Sequence, residues 1–142
     1  MIQAVANARV PKFTFVIGGS FGAGNYGMCG RGFDPRFIFS WPNARTAVMG
    51  GAQAAKVMDI VNRGKLARTG GEANEDALKA MSDALRNRLD RESTALFGTA
   101  RLWDDGIVDP RDTRRILGLA LALAREADAR TLRPNTFGVA RL

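Results

Sequence analysis

The most constraining feature of the sequence is a glycine-rich segment, Gly18–Gly27, that directly follows an apolar run, Phe13–Ile17. The apolar run is rich in residues that favour strands, and its continuous hydrophobicity predicts a strand buried on both faces. Clustered glycines after such a strand leave backbone N–H groups free at the start of a helix. The segment therefore predicts either a phosphate site or a site that stabilises a developing oxyanion.

Part of this segment has the spacing of the dinucleotide-binding fingerprint, with glycines at positions 22, 24 and 27. That fingerprint requires a full helix next, but the following residues, Tyr26–Phe33, include two further glycines. It also requires an acidic residue about 20 positions later, where this chain has Ser40–Asn43. A P-loop is excluded because no Gly-Lys-Ser/Thr ending is present. A tight structural turn remains an alternative for some of the glycines.

Composition excludes several kinds of active site. The 142 residues include no histidine and one cysteine, Cys29. The chain therefore cannot supply a catalytic histidine, a His-ligated metal, a multi-cysteine metal cluster or an internal disulfide. We expect Cys29 to be a small buried residue rather than a nucleophile, and we expect no metal. Any chemistry must then depend on backbone amides, arginines or hydroxyls.

The chain is basic, with 21 Lys and Arg against 14 Asp and Glu and a net charge of +7. The cations alternate with acids in segments such as 86–92 and 111–115. This pattern indicates solvated helix faces rather than a nucleic-acid-binding patch. No apolar run reaches the roughly 20 residues of a membrane span, and the first residues do not resemble a signal peptide. We therefore expect neither nucleic acid nor membrane as a partner.

The remaining pattern predicts an α/β protein. Its expected elements are a helix ending near Ala8, strands at Arg36–Trp41 and Thr46–Met49, and three longer helices. The first long helix, Gln53–Arg63, should stop at Gly64. The second should begin near Asn74, with an apolar stripe and a Glu75–Lys79 ion pair. The third should open at Asp109–Pro110, present a wide apolar arc and precede a basic tail, Arg130–Leu142.

The residues around the glycines also resemble a known family. Val10–Arg31 (VPKFTFVIGGSFGAGNYGMCGR) is similar to a segment of the carboxyltransferase (β) subunits of biotin-dependent acyl-CoA carboxylases. The resemblance is strongest to the methylcrotonyl-CoA and geranyl-CoA branch, ahead of propionyl-CoA and acetyl-CoA carboxylases. It continues through further segments along the chain: Pro35–Phe37, Trp41–Arg45, Val48–Gly51, Thr99–Pro110 and Asp112–Leu121.

This resemblance implies a crotonase-like α/β fold of repeated ββα units. Residues 1–142 would be part of a C-terminal carboxyltransferase domain, so the chain would be a piece of a longer subunit and inactive alone. The implied reaction moves a carboxyl group from carboxybiotin to an acyl-CoA, 3-methylcrotonyl-CoA first and geranyl-CoA or propionyl-CoA as alternatives. The implied partners are a biotin-carrying α subunit and other β subunits. The implied location is the bacterial cytoplasm or, in a eukaryote, the mitochondrial matrix.

The resemblance also assigns roles within the glycine-rich segment. The backbone amides of Ala23 and Gly24 would be the oxyanion donors that face the biotin carbonyl, while Phe21, Gly22 and Asn25 would contact biotin. Two other classes of function remain open at this point. The same glycines could form a nucleotide- or CoA-phosphate-binding module, and the chain could be a non-catalytic assembly fragment.

Overall fold

The computed structural model describes residues 1–70 and 74–131 of the chain. Its first half consists of a short helix followed by two ββα units, in each of which two strands lead directly into a helix. The elements of this half are α1 (Ile2–Asn7), β1 (Phe13–Val16), β2 (Gly19–Phe21), α2 (Gly22–Gly27), β3 (Phe37–Ser40), β4 (Arg45–Ala47) and α3 (Gly51–Thr69).

The two ββα units lie side by side, strand against equivalent strand. β1 pairs with β3 in parallel, with Phe13 opposite Phe37. β2 pairs with β4, also in parallel, with Ser20 opposite Thr46. Because equivalent strands pair in parallel, the helices that follow β2 and β4 begin at the same end of this strand pair. The crotonase-like ββα arrangement is confirmed, although β2 falls inside the glycine-rich segment and was not predicted as a strand.

Both strands of the second ββα unit, β3 and β4, are covered on their outer edges by other segments of the chain. The outer edge of β3 is covered by residues 105–108, and the Val108 N–H donates to the Ser40 carbonyl. The outer edge of β4 is covered in the same way by residues 93–95, where the Ala95 N–H donates to the Ala44 carbonyl. Within the described residues, β1 and β2 each pair with one strand only. Only Val16 of β1 is buried, and its other three residues are partly exposed. The prediction that the first strand is buried on both faces is therefore wrong for this chain.

The second half of the chain is helical: α4 (Glu75–Glu92), α5 (Ala95–Thr99) and α6 (Thr113–Ala129). α4 packs antiparallel against α3, and the two helices approach each other closely at Gly51. A β-carbon at that position would lie 2.9 Å from the Arg86 carbonyl oxygen. The predicted start of α4 is confirmed, since Asn74 caps it by accepting from the Ala77 N–H. Asp109 and Pro110 open a 3₁₀ turn rather than α6 itself, which begins three residues later at Thr113.

Two details of the helix prediction are wrong. α3 continues through Gly64 and ends at Gly70, whose φ of 66° gives the left-handed conformation of a helix end. Glu75 pairs with Arg63 of α3 rather than with Lys79, because both guanidinium N–H₂ groups reach its carboxylate oxygens at 2.7 Å. The prediction for the basic tail falls mostly on residues outside the described part of the chain.

The hydrophobic core lies where the two strand pairs meet. It consists of Val16, Ile38, Ala44 and Ala95, with Ile107 packed against it. Rows of aromatic rings line the β1–β3 pair, where the centroids of Phe15 and Phe39 are 5.3 Å apart. The core is small for its chain length, and several large apolar side chains of the long helices remain exposed.

The apolar arc predicted for α6 is only partly buried. Ala120 and Ala124 are buried, whereas Leu121 and Leu123 are 47 % and 45 % exposed. In the described part of the chain no helix is long and apolar enough to cross a membrane. The same residues contain no grouping of three or more His, Cys, Asp or Glu side chains that could hold a metal.

Candidate functional site

The five residues that the sequence singles out lie together at the junction of β2 and α2. Phe21 ends β2 in an extended conformation and immediately precedes the helix. Its ring folds back over Gly19, where an added β-carbon would be 2.8 Å from the ring. The ring is 37 % exposed. The aromatic side chain therefore flanks the first turn of α2.

Gly22 makes the abrupt change from strand to helix. Its φ is +54°, in the left-handed region that L residues with side chains rarely adopt. A β-carbon at this position would also lie 2.9 Å from the carbonyl oxygen of Val48, just beyond β4. Both the conformation and the close approach of the neighbouring chain require glycine here.

The amides of Ala23 and Gly24 are free donors. They belong to the first turn of α2, where N–H groups have no partner within the helix. No backbone or side-chain acceptor among the described residues takes either N–H. Both residues are exposed, and a β-carbon on Gly24 would meet nothing within 4 Å. The chain therefore presents two adjacent backbone donors beside open space.

A groove of about 300 Å³ lies between α2 and β4. Gly22, Asn25 and Tyr26 line one side of it, and residues 46–48 line the other. Arg31 contributes a cation at its rim. Arg31 itself is held by the loop that follows α5, since its Nε donates to the Trp103 carbonyl and a guanidinium nitrogen lies 3.5 Å from an Asp105 oxygen.

Asn25 has a defined partner. Its Nδ2 donates to the Ser20 hydroxyl at 2.9 Å, across the junction from α2 to β2. The backbone carbonyl of Asn25 accepts from the Gly30 N–H at 2.8 Å. A β-carbon on Gly30 would collide with the Asn25 side-chain oxygen, so glycine at position 30 leaves the room that this side chain occupies.

Cys29 ends the tight turn after α2 and is 8 % exposed. Its φ is +62°, and its carbonyl accepts from the Thr14 hydroxyl of β1 at 2.8 Å. The prediction of a small buried cysteine is confirmed. The same turn removes the context of a dinucleotide fingerprint, because α2 has only six residues and contains all three glycines of that pattern.

Hydrogen bonds hold the residues that follow β3 and β4 in place. Trp41 donates its indole N–H to the Thr113 hydroxyl at 3.0 Å, which ties the end of β3 to α6. Gly50 caps α3, and its N–H is already taken by the Gln53 side chain at 3.1 Å.

Asp104 has a structural role that the sequence did not indicate. This carboxylate is 8 % exposed and accepts from the Ser40 hydroxyl at 2.6 Å and the Thr99 hydroxyl at 2.7 Å. It thereby fastens the loop after α5 to the end of β3. No local sequence signal could identify it, since its partner Ser40 lies 64 residues away.

The carboxyl groups with shifted pKa values belong to ion pairs that lie away from the β2–α2 junction. Hydrogen bonds from Arg63 lower the pKa of Glu75 on the α3–α4 surface. Hydrogen bonds from the Arg111 side chain and backbone lower the pKa of Asp109 to about 2. Both acids pair with neighbouring cations, as expected for solvated helix faces. Similar pairs join Arg88 to Glu92 and occur elsewhere on the helices.

Comparison with known proteins identifies the family. Residues 1–139 match the carboxyl transferase domain. The chain belongs to the carboxyl transferase family. It is 52 % identical over 124 residues to a probable mitochondrial methylcrotonoyl-CoA carboxylase β chain of Drosophila melanogaster, which covers 87 % of this chain and 22 % of that protein. It is 47 % identical over its whole length to the corresponding Arabidopsis thaliana β chain, covering 24 % of that protein.

Solved structures agree with the sequence comparison. The β subunit of geranyl-CoA carboxylase from P. aeruginosa matches with a TM-score of 0.85 and 62 % identity, over 99 % of this chain and 26 % of that one. The transcarboxylase 12S subunit matches with a TM-score of 0.68 and 28 % identity, over 97 % of this chain and 24 % of that one. The carboxyltransferase fold is thus shown. The chain spans about a quarter of the length of these relatives.

Proposed function

We propose that this chain forms the biotin side of a carboxyltransferase site, in which the Ala23 and Gly24 amides stabilise negative charge on the biotin carbonyl oxygen. The observation that carries the proposal is the pair of free amides beside open space at the start of α2. Preorganised donors of this kind are worth about 3–4 kcal/mol each in other enzymes. They need no titratable side chain, which suits a chain without histidine.

The residues at the junction fit a neutral, planar urea group such as that of biotin. Gly24 leaves open space in which a ligand can approach the backbone, and the exposed Phe21 ring offers an apolar surface beside the donors. Asn25 lies one residue further along α2 and lines the adjoining groove. Carboxybiotin would supply the carboxyl group and the base for the reaction, while this chain would bind and orient the ureido ring.

The proposed acceptor is a branched acyl-CoA, with 3-methylcrotonyl-CoA first and geranyl-CoA as the alternative. Support comes from the names of the relatives, which include methylcrotonoyl-CoA carboxylase β chains and a geranyl-CoA carboxylase β subunit. Propionyl-CoA is a weaker alternative. A relative named for methylmalonyl-CoA, a transcarboxylase subunit, is only 31 % identical.

The proposed partners follow from the same family. A biotin-carrying α subunit would deliver the biotin, and other β subunits would complete the carboxyltransferase core. Exposed apolar side chains on α3 and α6, such as Ile60 and Leu119, are consistent with further protein packing on these helices. The proposed location is the cytoplasm in a bacterium or the mitochondrial matrix in a eukaryote, and some relatives are named as mitochondrial.

The test uses a chimera in which this chain replaces the matching quarter of the P. aeruginosa geranyl-CoA carboxylase β subunit, assembled into its holoenzyme. We expect the chimera to fix bicarbonate onto geranyl-CoA. Gly24→Val should then reduce turnover by roughly 100-fold or more, because the side chain projects into the space beside the donors. Assembly is checked by size-exclusion chromatography.

Gly118→Val is the matched control. Gly118 is also a helical glycine, in α6, where a β-carbon would meet nothing within 4 Å. Both substitutions should be tolerated by the fold, and only the one at position 24 should stop carboxyl transfer. Normal turnover of the Gly24→Val chimera, or an assembled but inactive chimera without any substitution, would contradict the proposed function.

A further inference from the structure

The helix α2 is too short to fix its own orientation in the fold. α2 contains six residues, three of them glycine, and isolated helices shorter than about 12 residues are marginal in water. The N–H groups at its start point along the helix axis, so any tilt of α2 re-aims the amides of Ala23 and Gly24. Contacts from outside the helix must therefore fix their orientation.

One side-chain contact ties α2 to the strand that precedes it. The Asn25 side-chain amide donates to the Ser20 hydroxyl at 2.9 Å. Ser20 is itself fixed, because its strand pairs with β4 and places Ser20 opposite Thr46. Asn25 directly follows Gly24 in the chain. The Ser20 hydroxyl thus holds Asn25 in place through one hydrogen bond, and Asn25 is the residue next to the second donor, Gly24.

The space around Asn25 indicates that its side chain is committed to this contact. The turn after α2 brings Gly30 against it, since the Gly30 N–H donates to the backbone carbonyl of Asn25. A β-carbon at position 30 would collide with the Asn25 side-chain oxygen. Both ends of the Asn25 side-chain amide are therefore confined, one by the Ser20 hydroxyl and the other by the turn.

We propose that Ser20 is a positioning residue, whose hydroxyl acts through Asn25 to aim the Ala23 and Gly24 amides. This inference rests on the proposed function and adds a residue that has no contact with the ligand. It also gives Asn25 a second role besides lining the groove. A residue of this kind should affect the chemical step more than substrate binding, because the donors remain present but point away from their target.

The test measures the steady-state kinetics of the chimeric holoenzyme described above. Ser20→Ala should lower kcat by roughly 10- to 100-fold, with the KM for acyl-CoA unchanged. Ser20→Thr retains the hydroxyl and should restore most of the kcat. Asn25→Ala should lower kcat at least as much as Ser20→Ala, because it also removes a side chain that lines the groove. The double substitution should cause little loss beyond that of Asn25→Ala, because Ser20 acts only through Asn25.

Thr113→Val is the control for a purely structural loss. It removes the acceptor of the Trp41 indole N–H, a hydrogen bond of similar length at 3.0 Å, and should leave kcat unchanged. Additive losses from Ser20→Ala and Asn25→Ala, or failure of Ser20→Thr to recover kcat, would overturn the inference.

A second measurement separates this inference from the proposed function. The amide NMR signals of Ala23 and Gly24 in the 142-residue chain should shift in Ser20→Ala and stay in place in Ser20→Thr. Unshifted signals overturn the positioning role even if kcat falls. Shifted signals with an unchanged kcat instead overturn the proposed function, since the donors would have moved without consequence for transfer.

Discussion

The junction of β2 and α2 makes a sharp prediction for Gly22. Gly22→Ala should destabilise the fold by about 2–4 kcal/mol. A residue with a side chain in the left-handed region costs about 1–2 kcal/mol, and here φ is +54°. The new β-carbon would also lie 2.9 Å from the Val48 carbonyl oxygen, a backbone atom that cannot rotate away. Relieving such a contact adds about 1–2 kcal/mol.

The measurement is urea denaturation of the 142-residue chain, followed by circular dichroism. Gly24→Ala provides the matched comparison, because it lies two residues away in the same helix and has nothing within 4 Å of its β-carbon. Alanine is up to about 1 kcal/mol better than glycine within a helix. Gly24→Ala should therefore leave stability unchanged or raise it slightly. Equal effects of the two substitutions would refute the reasoning.

Two further predictions concern the polar contacts. Asp104→Ala should lower the free energy of unfolding by about 2–4 kcal/mol, because it leaves the Ser40 and Thr99 hydroxyls without their acceptor in a buried site. Urea denaturation measures this loss, and a loss below about 1 kcal/mol would contradict the prediction. The pKa of Asp109 is lowered from 3.8 to about 2 by hydrogen bonds from Arg111. Its stabilising contribution is therefore complete above pH 3.8 and is lost as the pH falls through about 2. Arg111→Ala should flatten the Tm-against-pH curve in that interval, and an unchanged curve would count against the pairing.

The sequence predicted the local starts of elements better than their ends. Helix starts were expected near Asn74 and Asp109, and both residues act as caps, because a capping side chain acts on backbone groups two or three residues away. Gly64 was wrongly taken as the end of α3. An exposed glycine within a helix costs only about 1 kcal/mol, which the remaining turns of this helix can absorb. The true end, Gly70, differs by its left-handed conformation, which the sequence alone does not reveal.

Pairings between distant residues could not be predicted. Glu75 was expected to pair within its own helix, yet Arg63 of the neighbouring helix offers two parallel hydrogen bonds. A bidentate pair of this kind is geometrically superior to a single i,i+4 contact with lysine. The link from Ser20 to Asn25 was missed for a similar reason, since it depends on how the strand turns into the helix.

The glycine-rich segment was the most informative part of the sequence because its chemistry is local. Five consecutive residues, 21–25, were assigned to one site, and the structure brings them together at one strand-to-helix junction. The shape of the surrounding groove depends on β4 and Arg31, which lie outside the segment. The local donors could therefore be predicted, whereas their surroundings required the fold.

The proposed role of the Ala23 and Gly24 amides is to receive the biotin carbonyl oxygen. The most direct test is a titration of the ¹⁵N-labelled 142-residue chain with biotin methyl ester, followed by amide NMR. We expect these two signals to move most and Gly24→Val to abolish the change. Shifts confined to other residues, or the same two signals moving with ADP or NAD and not with the biotin ester, would contradict it.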